Sequence, residues 1–227
     1  MTVESSTQKK VSENELRHAL NRVRTPVRDR GPQGRWLNLA CGNRSIDGFH
    51  NVDKVAVPGV DQAVDLFALP WPWPDRTWTF VYVSNFLEHI PHQVNGHDSD
   101  FIVTFLEELF RVMDDGALLE VHIPHWKDPL ALSAPGHVRV VNRWTFHPWE
   151  VEDVHSAENS VRMSGTRLEL VDEHVVRKFG LGLGSDREIG NGALTDWHTR
   201  RYLGLEIGHP HQWIAIFRVR KSRLPRR

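Results

Sequence analysis

Between Trp36 and Asp53 the chain reads WLNLACGNRSIDGFHNVD, a run whose residue types suit the holding of a nucleoside. An apolar stretch meets a small-residue turn at Ala40, Cys41 and Gly42, and a second short stretch ends on Asp53. Glycine takes backbone angles that other residues avoid, and small neighbours let main-chain N–H groups approach a ligand closely. An acid at the tip of the next strand is placed to accept hydrogen bonds from both hydroxyls of a ribose. The pattern predicts a nucleoside-containing cofactor at the carboxyl edge of a parallel sheet. Its competitor is a plain strand and turn with no ligand.

A second set of reactive side chains lies further along. Glu88 and His89 adjoin at the end of an apolar run, Thr77 to Val83, and offer a base with an orienting partner. Adjacent side chains diverge on a regular element, so His89 serves equally well as a packing residue. His122, His125 and His137 then follow closely, with Arg139 beyond them. Odd spacing on a strand sends His122 and His125 to opposite faces, and no HExxH pattern accompanies them. No metal ligand set is assigned.

These segments resemble the class I S-adenosylmethionine-dependent methyltransferases, and most closely a bacterial subgroup of them. That subgroup has a first motif L-N-L-G-C-G-N followed by G-[FY]-x-N-x-D; here Leu37 to Asn43 and Gly48 to Asp53 stand at those positions. Ala40 replaces the usual first glycine, and Asn38 stands where the wider superfamily often has an acid. The resemblance continues through Asp65-Leu66, Leu69-Pro70-Trp71, Ser84 to Ile90 (S-x-x-L-E-H) and Val121 to His125 (ending V-P-H here as V-H-I-P-H), then fades. It implies S-adenosyl-L-methionine as cofactor. Asn38, Leu39, Ala40, Cys41, Gly42, Asn43 and Arg44 would face its methionine half. Asp53 and Lys54 would lie at the ribose, Asp65 and Leu66 at the adenine, and Ser84 and Asn85 at the pocket floor. His89, His125 and His137 are the candidates for a catalytic base, and Arg139 joins the last two in an acceptor-site wall.

The resemblance also implies the fold: an α/β, three-layer Rossmann-like sandwich around a seven-stranded, mostly parallel sheet with an antiparallel last strand. Without it, the short interval between the first two strands would argue against a parallel unit, because a crossover normally needs a dozen residues or more. Strands are expected at Arg35 to Leu39, Phe49 to Val52, Gln62 to Val64, Thr77 to Val83, Ala117 to Ile123, Thr166 to Arg177 and Gln212 to Lys221. The clearest helix is Asp98 to Met113, with Phe101, Phe105, Leu106, Leu109 and Val112 on one face. Ser12 and Glu15 have capping-box spacing and begin a helix that ends before Pro26. Pro70 to Pro74 is expected to cross the surface in extended form, and the glycines from 180 to 192 to make a loop that is either a lid or idle.

The 227 residues suit one domain over residues 12–221, with a cofactor half at 35–125 and an acceptor-side half at 126–221. A disordered segment 1–11 and a basic tail 222–227 flank it. At 40% hydrophobic and 25% charged residues, the composition is that of a soluble globular chain, with no apolar run long enough for a bilayer. The cytoplasm is the default compartment, and the single cysteine excludes an internal disulfide. A net charge of −1 gives no field for nucleic acid, so an RNA substrate is disfavoured and the basic tail reads as solvated chain. A nicotinamide enzyme would need G-x-G-x-x-G after the first strand, which is absent. The remaining readings are methyl transfer to a small-molecule acceptor, such as a sugar or other hydroxylated metabolite, and a binding or regulatory protein that keeps the fold without the chemistry. A homodimer is compatible with either.

Overall fold

The computed structural model describes residues 23–94, 100–150, 165–179, 185–187 and 209–221. The segment 1–11, the helix expected from Ser12, most of the glycine-rich loop and the tail 222–227 lie outside the described residues.

The strands are β1 (Trp36–Leu39), β2 (His50–Asp53), β3 (Gln62–Ala63), β4 (Trp78–Ser84), β5 (Met113–Pro124), β6 (Thr166–Phe179), β7 (Ser185–Arg187) and β8 (His209–Lys221). They form one sheet in the order β3-β2-β1-β4-β5-β8-β6-β7. Strands β1 to β5 pair in parallel, and β8 inserts antiparallel between β5 and β6. This is the Rossmann-like sheet the sequence implied, with the three-residue β7 added antiparallel at the edge. The order reverses at β1, so the carboxyl ends of β1 and β4 diverge into a crevice, the usual ligand position in such sheets.

Residues 40–49 join β1 to β2 as a wrapped loop with no crossover helix. Helix α1 (Phe101–Val112) starts where Asp100 accepts the Ile102 amide, and α2 (Leu130–Ser133) and α3 (Arg143–Glu150) follow β5. Phe101, Phe105, Leu106 and Leu109 are completely buried against Leu37, Leu39, Val81, Val83, Leu119 and Val121 of the sheet. Each such side chain contributes about 1.5–3 kcal/mol through removal from water. Phe146 and Trp149 of α3 extend the same layer.

The Pro70 to Pro74 segment departs from expectation. Trp71 and Trp73 belong to the core, and Trp71 packs edge-on to Phe105 while its indole N–H donates to Leu66 O. Their apolar area outweighs the extended, surface-like character of the prolines. β5 likewise begins earlier than expected, because Met113 pairs with Trp78 ahead of a register shift.

The opposite face has a smaller apolar layer of Trp36, Phe49, Phe80, Tyr82, Leu118 and Ile216. Among the described residues it is covered by the stretch from Val23 and by the β1–β2 loop, with Arg30 over the rings of Trp36, Phe49 and Phe80. Polar groups of the strands are therefore buried here. Glu120 is fully buried and accepts from the amides of Arg24 and Thr25, the Thr25 hydroxyl and His122 Nε2. No helix of the described residues is long and apolar enough to cross a membrane.

Candidate functional site

At the carboxyl ends of β1 and β4 lies a cavity of about 660 Å³. Asn38, Ala40, Cys41, Asn43, Arg44 and Ser84, all expected at the cofactor, line it. Tyr82, Arg30, Val23 and Ser45 to Asp47 line it too, and the sequence reading had not included them. Their signal was weak, since it lay only in their nearness to the turn or, for Tyr82, in strand alternation.

The turn is held from inside. Asn38 is buried, and its amide donates to Arg44 O and to Asn51 Oδ1, both at 2.9 Å. Asn51 Oδ1 also accepts the Ile46 amide, so two buried asparagines fix the course of the loop. Part of the work expected of Asn38 toward a ligand is thus directed at the loop itself. Ala40 has φ 54° and Gly42 φ 55°, the left-handed region that glycine tolerates and alanine occupies at a cost of about 1–2 kcal/mol. Ala40 therefore adopts the backbone that a glycine would supply at that position.

Asp53, at the end of β2, accepts the Gly42 amide at 2.8 Å through Oδ2 and the Val55 amide at 3.2 Å through Oδ1. The carboxylate is half-buried and retains lone pairs for further donors. Lys54 pairs with Asp65 at 2.9 Å, and this bond holds the Asp65 carboxyl below its ordinary range. Leu66 is buried behind them. Burial and the neighbouring Asp53 push the Cys41 thiol up to about 11, so it is protonated at neutral pH and is no nucleophile. Asn85 takes a left-handed φ of 49°, and its side-chain oxygen accepts from Gln212 at 3.3 Å, tying the end of β4 to β8.

The three candidate bases fall in two places. His89 and His137 meet edge-to-face with ring centroids 4.7 Å apart, beside Glu88. His89 Nδ1 lies 2.9 Å from Gly136 O, and His137 Nδ1 lies 3.1 Å from Ala131 O. Carbonyls only accept, so both Nδ1 atoms carry a proton, and in the neutral form of each ring the lone pair is on Nε2. Burial, reinforced by His137, holds His89 below its ordinary value and keeps it neutral, although the bond to Gly136 acts the other way. Glu88 is 2% exposed, neither carboxylate oxygen has a hydrogen-bond partner among the described residues, and burial pushes its pKa up to about 7.

His125 lies apart. Its Nδ1 accepts the Lys127 amide at 3.1 Å, which places the ring proton on Nε2 in the neutral form. It lines a second cavity, of about 500 Å³, with Trp126, Trp144, Trp213, Arg143 and Glu173. Arg139 does not reach an acceptor wall: it is buried and donates to Ile90 O at 2.6 Å and Asp100 Oδ1 at 2.8 Å. Asp128 pairs with His211, a partner on β8 that nothing in the local sequence announced.

No family model matches the chain, and no curated protein gives a significant match. Solved structures do resemble it. A SAM-dependent methyltransferase from Archaeoglobus fulgidus, 14% identical, superposes with a TM-score of 0.51 over 91% of this chain and 92% of that one. One from Thermotoga maritima, 13% identical, gives 0.48 over 84% of each chain. The fold is that of the class I S-adenosylmethionine-dependent methyltransferases.

Proposed function

We propose that the protein transfers a methyl group from S-adenosyl-L-methionine to a small hydroxylated acceptor. The observation that carries this reading is the cavity at the carboxyl ends of β1 and β4, bounded by the Ala40 to Asp47 turn, with Asp53 at the neighbouring strand tip. Methyl transfer needs a nucleoside held at the β2 end and a zwitterionic amino-acid half, with its carboxylate, held at the β1 turn. Asp53 has the spare lone pairs for two ribose hydroxyls. Asp65 stands next along the edge for an adenine amino group, with Leu66 buried behind it, and Arg44 supplies a cation to the cavity.

When bound, the cofactor supplies an electrophilic methyl on a sulfonium, so the protein's work is alignment, exclusion of water and handling of one proton. The acceptor oxygen forms the new C–O bond as the S–C bond breaks, and the hydroxyl proton leaves toward a base. Of the three candidates, His89 and His137 keep an unprotonated Nε2 in the neutral form, whereas His125 is buried and carries its proton on Nε2. The groove at His125 suits recognition: Trp126 and Trp144 are 53% and 73% exposed, and their flat faces beside Arg143 and Glu173 fit a sugar or similar polyol.

Calorimetric titration with S-adenosylmethionine and S-adenosylhomocysteine, repeated on Asp53→Ala, tests the reading. Micromolar binding that weakens at least tenfold in the variant is the expected result. A folded protein that binds neither ligand would overturn it in favour of a fold retained for binding or regulation, the reading that the strained Ala40 favours.

A further inference from the structure

We propose that Glu88, His89 and His137 form a site for a divalent cation of the zinc type, with one coordination position open to an oxygen ligand. The ligand atoms of the three side chains all lie within 4.8 Å of one another, and His137 Nε2 is 3.9 Å from Glu88 Oε1. A tetrahedral ion bound at about 2.0–2.2 Å to nitrogen and oxygen has ligand-to-ligand edges of roughly 3.4 Å, so a contraction of at most about 1.4 Å along any edge completes the shell.

Three features mark a built site. Both imidazoles are fixed through Nδ1–H to main-chain carbonyls, the arrangement that sets the tautomer and leaves Nε2 as the basic nitrogen for a metal. Gly136, at φ +91°, carries one of those carbonyls, and a Cβ there would press on His89 Nδ1 at 3.3 Å. Glu88, finally, is a carboxyl taken out of water with neither oxygen hydrogen-bonded among the described residues, which costs several kcal/mol unless a cation or donor meets it. Two imidazoles and one carboxylate leave tetrahedral Zn²⁺ a fourth position, and His89, only half-buried, leaves that side accessible.

The inference refines the proton-handling part of the proposed function and does not depend on it. With the ion in place the imidazoles hold metal, and a bound water or acceptor hydroxyl is acidified directly by the cation. The chemical class of ligand at the open position is therefore a hydroxyl or carboxylate oxygen.

The test uses the full chain, stripped with a chelator and titrated with Zn²⁺ against a chromophoric competitor, with Co²⁺ as a spectroscopic probe. One equivalent should bind, and the Co²⁺ form should show the intense visible bands of a tetrahedral site. Glu88→Gln and His137→Gln should each weaken Zn²⁺ binding by about 100-fold, since losing even an outer partner costs 10–100-fold. His147→Ala, on α3, should leave it unchanged. Circular dichroism checks that each variant is folded. Absence of stoichiometric binding by folded wild-type protein overturns the site, as does binding that survives both substitutions. Because no S-adenosyl ligand is present, failure here leaves the calorimetric test of the cofactor untouched, and failure there leaves this one standing.

Discussion

Glu120 and Glu88 are the same side chain at almost the same depth, 0% and 2% exposed, and the molecule treats them in opposite ways. For Glu120, burial alone would raise the pKa, but the hydrogen bonds from His122, Thr25 and the Arg24 amide outweigh it and hold the carboxyl below its ordinary value. Glu88 is buried, its own main-chain amide offsets the burial only in part, and it rises to about 7. The difference teaches that depth does not set the behaviour of a buried acid; the donors that the rest of the chain returns to it do. Glu120 fastens the N-terminal stretch to the sheet. Glu88, with neither oxygen hydrogen-bonded among the described residues and two oriented imidazoles beside it, is the group a ligand would complete.

The largest expected effect breaks the satisfied case. Glu120→Ala should lose about 3–5 kcal/mol at pH 7, because it strands four donors, three of them buried. Its folded pKa is depressed, so the contribution is fully present above the ordinary carboxylate value and is lost as pH falls through the lower folded value. Urea unfolding at pH 7 and in acid should therefore show the gap to wild type narrowing, whereas the gap for Phe105→Ala, also about 3–5 kcal/mol, should be far less pH-dependent. An equal gap for Glu120→Ala at both pH values would contradict the assignment.

Glu88 has the reverse sign. Its pKa rises from 4.5 to about 7 on folding, so the folded state holds the proton more tightly and stability declines as pH climbs across that interval. In chelator, that decline should be on the order of 3 kcal/mol and absent from Glu88→Gln, as read from unfolding midpoints between pH 4.5 and 8. Zn²⁺ should cancel it in the wild type.

Smaller effects bracket the comparison. Ala40→Gly should gain about 1 kcal/mol in chemical denaturation by relieving a left-handed alanine, and a loss of stability would refute that strain. A surface carboxylate sets the floor. Asp75 is 74% exposed and pairs with Arg111 at 2.7 Å, yet Asp75→Ala should change stability by no more than about 1 kcal/mol.

Much of this architecture could be read from local pattern. The apolar stripe of Phe101, Phe105, Leu106 and Leu109 predicts both α1 and its buried face, because a period of 3.6 residues is a property of neighbours in the chain. The turn at Ala40 to Gly42 and the acid at Asp53 are legible for the same reason, and the resemblance they carried named the fold. Trp71 and Trp73 were misjudged because their proline neighbours describe backbone habit, while burial depends on what packs over it.

What the sequence determined by itself was seven of the strands, helix α1 and the placing of reactive residues at strand ends, since periodicity, turn chemistry and side-chain volume all act over a few residues. Only the tertiary structure decided that His89 meets His137 while His125 stands apart, that Arg139 turns inward, and that Thr25 returns across 95 residues to Glu120. Those partnerships depend on where distant segments come back together, and the free energy of a buried charge follows the partners it finds there.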